Sequence, residues 1–170
     1  LHNLTPAPGG ALSARCAASY PGELHSCAMA PYVQRFAYAR HFLFGSKYDA
    51  WQLVHDVQLP CYGGWPGNHT SAPCTPAEQA ALRGFGKSMA ASIAESFRRP
   101  SAATTPTGAG VGAGVGASRG AFLTSCVCHA NGCPWATLRL RNRSGVEHYR
   151  RWYRGDATGA DAIQIDRRSP

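Results

Sequence analysis

The sequence predicts an α/β fold, in which the strands of a parallel sheet are flanked by helices. The first observation is the run Phe42-Leu43-Phe44, which is apolar on both faces, as a parallel strand buried by helices should be. The second is a similar run at Phe122-Leu123. Each run ends in a loop with one polar residue able to do chemistry, Asp49 in the first and His129 in the second. We expect the Asp49 carboxylate to emerge at the carboxyl edge of the sheet.

The first part of the chain is expected to be irregular. Prolines interrupt residues 1–35 at four positions, 6, 8, 21 and 31. The first strand is predicted over residues 36–45, from Phe36 to Gly45. A Gly- and Pro-rich excursion bounded by Cys61 and Cys74 then occupies residues 60–74.

A helix with distinct start and stop signals follows the excursion. Thr75-Pro76-Ala77-Glu78 is a capping box with proline at the first helical position. Arg98 and Arg99 lie in the last turn, where cations oppose the negative end of the dipole, and Pro100 ends the helix. The apolar residues recur at steps of three and four and form one stripe: Leu82, Phe85, Met89, Ile93 and Phe97.

The rest of the chain divides into a low-complexity stretch and a final segment. Residues 100–117 are mainly Gly, Ala, Thr and Pro, and they bury too little apolar surface to offset their ordering entropy. We expect a disordered surface insertion there. A strand over about residues 120–126 and the loop of His129 follow. Residues 1–99 and 118–170 are therefore assigned to one domain, which residues 100–117 interrupt.

The final segment also contains a helix signal. A second capping box, Ser144-Gly145-Val146-Glu147, predicts a helix that extends to about Arg154. Its side chains Val146, Tyr149 and Tyr153 are expected to face the core. The polar tail from Gly155 onward is expected to be loose.

Composition favours a secreted protein with an anionic partner. Lys and Arg number 17 against 9 Asp and Glu, and this net charge of +8 favours polyuronic acids, nucleic acid or acidic surfaces. A GC-rich coding sequence that uses Arg freely is the alternative. No basic stretch interleaved with aromatics resembles nucleic-acid readout, so no nucleic-acid partner is expected. Seven cysteines and three glycosylation sequons, at Asn3, Asn68 and Asn142, favour a secreted or lumenal protein.

The ends of the sequence suggest part of a longer protein. The chain starts at Leu1 without an initiator Met or a signal peptide, so we expect a further N-terminal portion. No apolar run is long enough to span a membrane, and no membrane span is predicted.

Asp49 and His129 occur in the order of the last two members of an α/β-hydrolase triad, which runs Ser, then Asp or Glu, then His. In such a triad the Asp holds the imidazole in the right tautomer, and the His acts as general base and then as general acid. The alternatives are an Asp that caps the following helix and a loop histidine without a special role. The capping and catalytic roles of Asp49 can coexist.

A zinc site is an alternative for the cysteines around the histidine. Cys126, Cys128, His129 and Cys133 include soft ligands for zinc. Their spacing does not match a C-x-x-C finger pattern, however, and a secreted context favours disulfides. No metal or other cofactor is therefore predicted.

One apparent nucleophile motif is rejected. Gly116-Ala117-Ser118-Arg119-Gly120 matches the G-x-S-x-G elbow letter for letter. The elbow requires a strand before its serine and a helix after it, whereas low-complexity glycine precedes Ser118 and a strand follows it. We interpret Ser118 as structural.

Two motifs surround Asp49 and precede His129: Tyr48-Asp49-Ala50-Trp51-Gln52, and Ser118-Arg119-Gly120-Ala121-Phe122-Leu123-Thr124-Ser125-Cys126. Together they resemble the pectin acetylesterase family, which includes the animal Notum carboxylesterases. Residues 48–52, Tyr-Asp-Ala-Trp-Gln, look like the Y-D-S-W-Q stretch of that family. Residues 118–126, followed by His129, look like its S-R-G-x-F-[IL]-x-S-C-x-x-H segment, and Cys74-Thr75-Pro76 matches a C-[ST]-P-x-[EQ] helix start. The resemblance covers roughly residues 10–166, apart from the Gly/Ala-rich insertion.

The resemblance implies the C-terminal half of an α/β-hydrolase fold, incomplete in this chain, with Asp49 and His129 as the acid and base of a Ser-Asp-His triad. The nucleophile of the family lies in an upstream G-x-S-A-G-G elbow that is absent here. We therefore expect this chain to be inactive alone and to require the missing N-terminal half of the same protein.

The implied parent is a secreted, cell-wall serine carboxylic-ester hydrolase that removes acetyl groups from pectin. Its expected partner is acetylated pectin or another esterified polysaccharide. Two other functions are considered: a Notum-like deacylase of a lipidated protein, and a non-enzymatic, disulfide-stapled secreted binding module.

The cysteine pattern departs from that of the family. The cysteine that directly follows the catalytic histidine in the family is Ala130 here, so the pairing near His129 is open. One hypothesis leaves Cys126 free or bound to the missing half. It pairs the other six cysteines as follows: Cys16–Cys27, Cys61–Cys74 and Cys128–Cys133.

Overall fold

The computed structural model describes residues 13–36, 40–62, 73–98 and 119–169. The predicted insertion at 100–117, Ser118, and the sequons at Asn3 and Asn68 lie outside the described residues. The described residues belong to two units. One contains residues 13–36, 40 and 92–98, and the other contains residues 41–62, 73–91 and 119–169. Asp49 and His129 both belong to the second unit.

The first unit contains short helices where the sequence predicted irregular chain. They are α1 (Ala14–Ser19), a 3₁₀ helix (Leu24–Ala28) and α2 (Ala30–Phe36). Ser13 caps α1, because its side chain accepts a hydrogen bond from the Cys16 amide at 3.4 Å. The prediction of irregular chain is therefore wrong for residues 14–19, 24–28 and 30–35. Helices this short carry too few turns for a hydrophobic period to be visible.

These short helices are held by a disulfide and by aromatic packing. Cys16 and Cys27 are bonded and buried. The ring of Tyr20 packs edge-on against Tyr32 at 5.0 Å and against Phe36 at 6.2 Å, measured between centroids. Tertiary contacts of this kind supply the stability that such short helices lack in isolation.

The second unit is built on a three-stranded parallel sheet with helices beside it. Its elements are, in chain order, β1 (His41–Asp49), α3 (Ala50–His55), α4 (Pro76–Arg98, which also contributes to the first unit), β2 (Arg119–Cys128), β3 (Arg139–Leu140), β4 (Arg143–Ser144), α5 (Gly145–Arg154) and β5 (Ile163–Ile165). The order in the sheet is β1-β2-β5, and both pairings are parallel. The predicted α/β class is confirmed at this level.

The strand boundaries differ from the prediction at β1. The predicted strand over residues 36–45 starts too early, because Phe36 ends α2, and it stops too early, because β1 continues to Asp49. Ser46, Lys47 and Tyr48 are all buried in the strand. Because these residues are polar or carry a polar group, the sequence pattern predicted that the strand ends before them. The second strand, predicted over about 120–126, is found at Arg119–Cys128.

Helix α4 matches its prediction closely. Thr75 and Glu78 form the predicted capping box: the Glu78 carboxylate accepts from the Thr75 amide at 2.7 Å, and the Thr75 hydroxyl accepts from the Glu78 amide at 3.3 Å. Leu82 and Ile93 of the predicted stripe are buried, and the other members are half-buried. The helix is described as far as Arg98, and the predicted stop at Pro100 lies outside the described residues.

Helix α5 starts as predicted but turns a different face inward. Ser144 and Glu147 form the capping box, and the helix ends at Arg154. The buried side chains are His148 and Trp152, whereas Tyr149 is 36% and Tyr153 64% exposed. The prediction is wrong for Tyr153. Tyr149 packs against β1 at the edge of the core, with 5.6 Å between its ring centroid and that of Phe42, and Val146 is half-buried. Trp152 and Tyr153 are adjacent aromatic residues, so the sequence does not show which of them faces inward. In the structure it is Trp152, whose ring lies 5.4 Å from that of Phe42 between centroids.

The tail after Gly155 is ordered, in contrast to the prediction of a loose segment. A 3₁₀ helix (Gly159–Ala162) leads into β5, which pairs with β2 from Ile163 opposite Ala121 to Ile165 opposite Leu123. The Asp166 amide extends this pairing by donating to the Leu123 carbonyl at 2.8 Å. The tail thus supplies the third strand of the described sheet.

The cysteine pairing agrees with the hypothesis. Cys16–Cys27, Cys61–Cys74 and Cys128–Cys133 are disulfides. Cys126 retains its thiol and is half-buried. Among the described residues, no helix is both long and apolar enough to cross a membrane.

Candidate active site

Asp49 lies at the junction of β1 and α3 and caps the helix. Its Oδ1 accepts hydrogen bonds from the amides of Trp51 at 3.0 Å and Gln52 at 3.1 Å. These amides have no acceptor within the helix, so the Asp49 carboxylate supplies the hydrogen-bond acceptor that the first turn lacks. The alternative role foreseen for Asp49 is therefore present in the structure.

The same carboxylate contacts the imidazole of His129. His129 Nδ1 lies 2.9 Å from Asp49 Oδ1 and 2.9 Å from Oδ2, although the two residues are 80 positions apart in the chain. The contact arises because β1 and β2 are parallel neighbours, and Asp49 pairs with Cys128, the residue before His129. The structure thus brings together the two residues predicted from sequence.

The chemistry of the partners determines the tautomer of His129. An ionised carboxylate can only accept hydrogen bonds, so Nδ1 must carry the proton. In the neutral ring the basic lone pair then resides on Nε2, the nitrogen remote from Asp49. This arrangement allows His129 to accept a proton through Nε2 while Asp49 stabilises the imidazolium.

The pair is partly accessible to solvent. The His129 side chain is 38% exposed and that of Asp49 is 21% exposed. Trp51 lies beside the histidine, with 6.5 Å between ring centroids, and it is itself 42% exposed. A reactant can therefore approach the imidazole next to an aromatic surface.

A disulfide closes the loop that carries the histidine. Cys128 ends β2 directly before His129, and Cys133 follows a 3₁₀ helix (Ala130–Gly132). Ala130 adopts a positive φ of 44°, which is uncommon for a residue with a side chain. The loop turns back within a few residues, and the cross-link limits the freedom of His129.

The same cross-link removes the zinc alternative. Cys128 and Cys133 are bonded to one another and offer no thiolate to a metal. In the described part of the chain, no group of three or more His, Cys, Asp or Glu side chains is placed to hold a metal ion. Ser118, the serine of the rejected elbow motif, lies outside the described residues.

Sequence reasoning missed a buried polar cluster at the end of β5. The Asp166 carboxylate accepts from the Ser125 hydroxyl at 2.7 Å and from Arg168 through Nη2 at 2.9 Å and Nε at 3.0 Å. Lys47, also buried, donates from Nζ to the Arg168 carbonyl at 2.6 Å. The alternation Ile163-Gln164-Ile165 before Asp166 was the available signal of a strand.

The two buried charged groups of this cluster, Asp166 and Lys47, respond to burial in different ways. Burial alone would raise the pKa of Asp166, but the hydrogen bonds from Arg168 and Ser125 outweigh it and hold that pKa well below its usual range. Burial lowers the pKa of Lys47, and the nearby Asp166 carboxylate opposes this effect. Asp166 is therefore an ionised, fully hydrogen-bonded group in the folded protein.

The comparisons with known proteins leave the family open. No protein-family model, curated protein or solved structure matches this chain significantly. The functional argument consequently depends on the residues themselves and on the geometry of the Asp49–His129 pair.

Proposed function

We propose that this chain is part of a secreted serine carboxylic-ester hydrolase of the pectin acetylesterase type. The observation that supports the proposal is the pair formed by Asp49 and His129, with 2.9 Å between carboxylate and Nδ1, at the ends of adjacent parallel strands. The order Asp then His is that of the α/β-hydrolase triad. The two motifs that resemble the family contain the same two residues.

In the proposed mechanism, His129 is the general base and Asp49 its orienting partner. A serine from a segment upstream of Leu1 attacks the acetyl carbonyl, and its proton passes to Nε2 of His129. The imidazolium, stabilised by Asp49, then protonates the leaving alcohol. Water repeats the cycle on the acyl-enzyme, with His129 again accepting the proton, and acetate is released.

The proposed substrate is an acetylated, acidic polysaccharide. The net charge of +8 suits a polygalacturonate backbone, because a positive field steers anionic chains to the protein. The three disulfides are in keeping with the proposed extracellular location. Removal of a fatty acyl group from a lipidated protein would use the same pair and a different acyl pocket.

The test is to obtain the coding sequence upstream of Leu1 and to assay the longer protein. We expect a strand, a G-x-S-x-G elbow and a helix in that segment. The longer protein should release acetate from acetylated pectin. Asp49→Asn and His129→Gln should each lower kcat by about four orders of magnitude, the effect of triad removal in serine hydrolases.

Two control substitutions test whether the loss of activity is specific to Asp49 and His129. Asp56→Asn and His25→Gln change exposed residues and should leave the rate unchanged. The proposal fails if the longer protein contains no serine elbow, in which case the binding-module interpretation is favoured. It also fails if the His129→Gln enzyme retains its rate. Release of a fatty acid from a lipidated peptide, without acetate release from pectin, would favour the Notum-like alternative.

A further inference from the structure

A β-bulge interrupts the pairing of β1 and β2 directly before the Asp49–His129 pair. Ser46 is paired with Thr124 and Tyr48 with Val127, so that one residue of β1, Lys47, lies opposite two residues of β2. The two residues are Ser125 and Cys126. Bulges are rare between parallel strands, and they redirect the side chains that follow.

Two buried hydroxyl groups hold the bulge from within the sheet. The Ser46 hydroxyl donates to the Cys126 carbonyl and accepts from the Tyr48 amide at 2.9 Å. The Thr124 hydroxyl accepts from the Cys126 amide at 3.1 Å. Both donor and acceptor of Cys126, the extra residue, are thus satisfied by side chains.

The buried cluster around Asp166 holds the bulge from the other side. Asp166 Oδ2 accepts from the Ser125 hydroxyl at 2.7 Å, and Asp166 directly follows β5. Lys47, the residue opposite the bulge, donates to the Arg168 carbonyl at 2.6 Å. The C-terminal tail therefore contacts both strands at the irregular position.

The bulge determines the register of the candidate catalytic pair. After it, Asp49 lies opposite Cys128, so His129 is one residue beyond the partner of Asp49. Without the extra residue, Asp49 would lie opposite Val127. His129 would then lie two residues beyond the partner of Asp49, about 3 Å farther along the strand, and the contact of 2.9 Å between Nδ1 and the carboxylate would be lost.

We infer that Ser46 and Thr124, together with Ser125 and Asp166, are positioning residues whose hydrogen bonds maintain the bulge and thereby hold His129 against Asp49. In the described part of the chain, no hydrogen bond or ion pair joins any of the four to Asp49 or His129; they act through the backbone. The effect on catalysis depends on the proposed function, whereas the effect on His129 can be measured in the chain as it is.

The test observes the tautomer of His129 directly. The 170-residue chain, labelled with ¹⁵N-histidine, is studied by NMR at pH 8.5, well above the ordinary histidine pKa of about 6.5. In the unsubstituted chain the ¹⁵N chemical shifts should show a proton on Nδ1 of His129, because that atom faces the carboxylate. Loss of the contact with Asp49 should remove this preference.

His148 supplies an internal reference in every spectrum. Its Nε2 lies 3.0 Å from the Leu140 carbonyl, so in this ring Nε2 carries the proton. Burial lowers the pKa of His148, and the ring is therefore neutral under these conditions. A variant that has merely lost its fold moves the ring resonances of both histidines to their unfolded positions, whereas a variant that has lost the register changes those of His129 alone.

The variants differ in whether they keep a hydroxyl. Thr124→Val has nearly the same shape without the hydroxyl, and we expect the Nδ1 proton signature of His129 to be lost while that of His148 persists. Thr124→Ser keeps the hydroxyl and should retain both signatures. If Thr124→Val changes His148 as well, Ser46→Ala and Ser125→Ala, which remove smaller groups, decide the question by the same criterion.

Failure of this inference can be distinguished from failure of the proposed function. In an active longer protein, Thr124→Val should lower kcat about a hundredfold with KM unchanged, the effect of a misplacement of about 1 Å. If Thr124→Val removes the Nδ1 proton signature of His129 and the longer protein has no esterase activity, the positioning role is supported and the proposed esterase function is refuted. An unchanged His129 signature in folded Thr124→Val, Ser46→Ala and Ser125→Ala chains would overturn the inference.

Discussion

Substitution of Asp49 separates its two roles, since asparagine can replace it in one of them. Oδ1 accepts from two amides of α3, at 3.0 and 3.1 Å, and the carboxylate also binds His129 at 2.9 Å. Asparagine is as effective as aspartate at a helix start. Asp49→Asn therefore keeps the cap and loses the charge-assisted bond to His129, whereas Asp49→Ala loses both.

The magnitudes follow from exposure and geometry. Loss of a helix cap costs about 1 kcal/mol. The bond to His129 is charge-assisted, but its partners are 38% and 21% exposed, so solvent screening reduces it to about 1 kcal/mol. We expect Asp49→Ala to lower the free energy of unfolding by about 2 kcal/mol and Asp49→Asn by about 1 kcal/mol.

Urea unfolding at pH 7, followed by tryptophan fluorescence with the disulfides intact, measures these values. Combining each substitution with His129→Ala gives a double-mutant cycle, in which the coupling between Asp49 and His129 should be about 1 kcal/mol. Asp56→Ala, at an exposed position, is the control. A coupling of zero, or an Asp49→Asn chain as unstable as Asp49→Ala, would refute the reasoning.

Two further predictions concern the packing and charge of the second unit. In α4, a Cβ on Gly86 would lie 2.3 Å from the buried Tyr48 ring, so Gly86→Ala should destabilise by about 1–3 kcal/mol. At Gly84 no described atom beyond the nearby helix backbone lies within 4 Å of the added Cβ, so Gly84→Ala should stabilise by about 0.5–1 kcal/mol. Equal effects of the two in urea unfolding would contradict this packing. The folded-state pKa of Asp166 is depressed, so its contribution to stability is present above about pH 4 and is lost as the pH falls toward the folded value. Asp166→Asn should lower stability at pH 7 by about 2 kcal/mol and flatten the acid side of the urea-midpoint profile, and an unchanged profile would refute this role.

Local signals were sufficient for the features whose information is contained in neighbouring residues. Both capping boxes, the stripe of α4 and the cap at Asp49 depend on contacts within a few positions, and they were predicted correctly. The pairing of the cysteines was also anticipated. These features need no knowledge of how distant segments meet.

Features that depend on distant partners were missed. Helix α5 buries Trp152 in place of Tyr153, because the choice is made by the aromatic surface of β1 that the helix packs against. Strand β5 spans only Ile163–Ile165 and is stabilised by β2. An alternating pattern cannot reveal that Ser125 and Cys126 share one partner, so the register was not predictable.

The sequence placed Asp49 and His129 at the ends of strands and assigned them complementary roles. The structure adds their contact at 2.9 Å. Their catalytic role stays a prediction. What sequence could not supply was the irregular pairing that aligns the two residues, because it depends on hydroxyl groups and on a tail that looked like loose chain.

The three disulfides all join cysteines that are close in sequence, with separations of 11, 13 and 5 residues. Rings of this size restrict the unfolded chain by about 2–3 kcal/mol each, and each can close without the rest of the fold. None of them links β1 to β2. Denaturant should therefore separate Asp49 from His129 while every cross-link stays oxidised, and refolding must recover their alignment through non-covalent contacts alone.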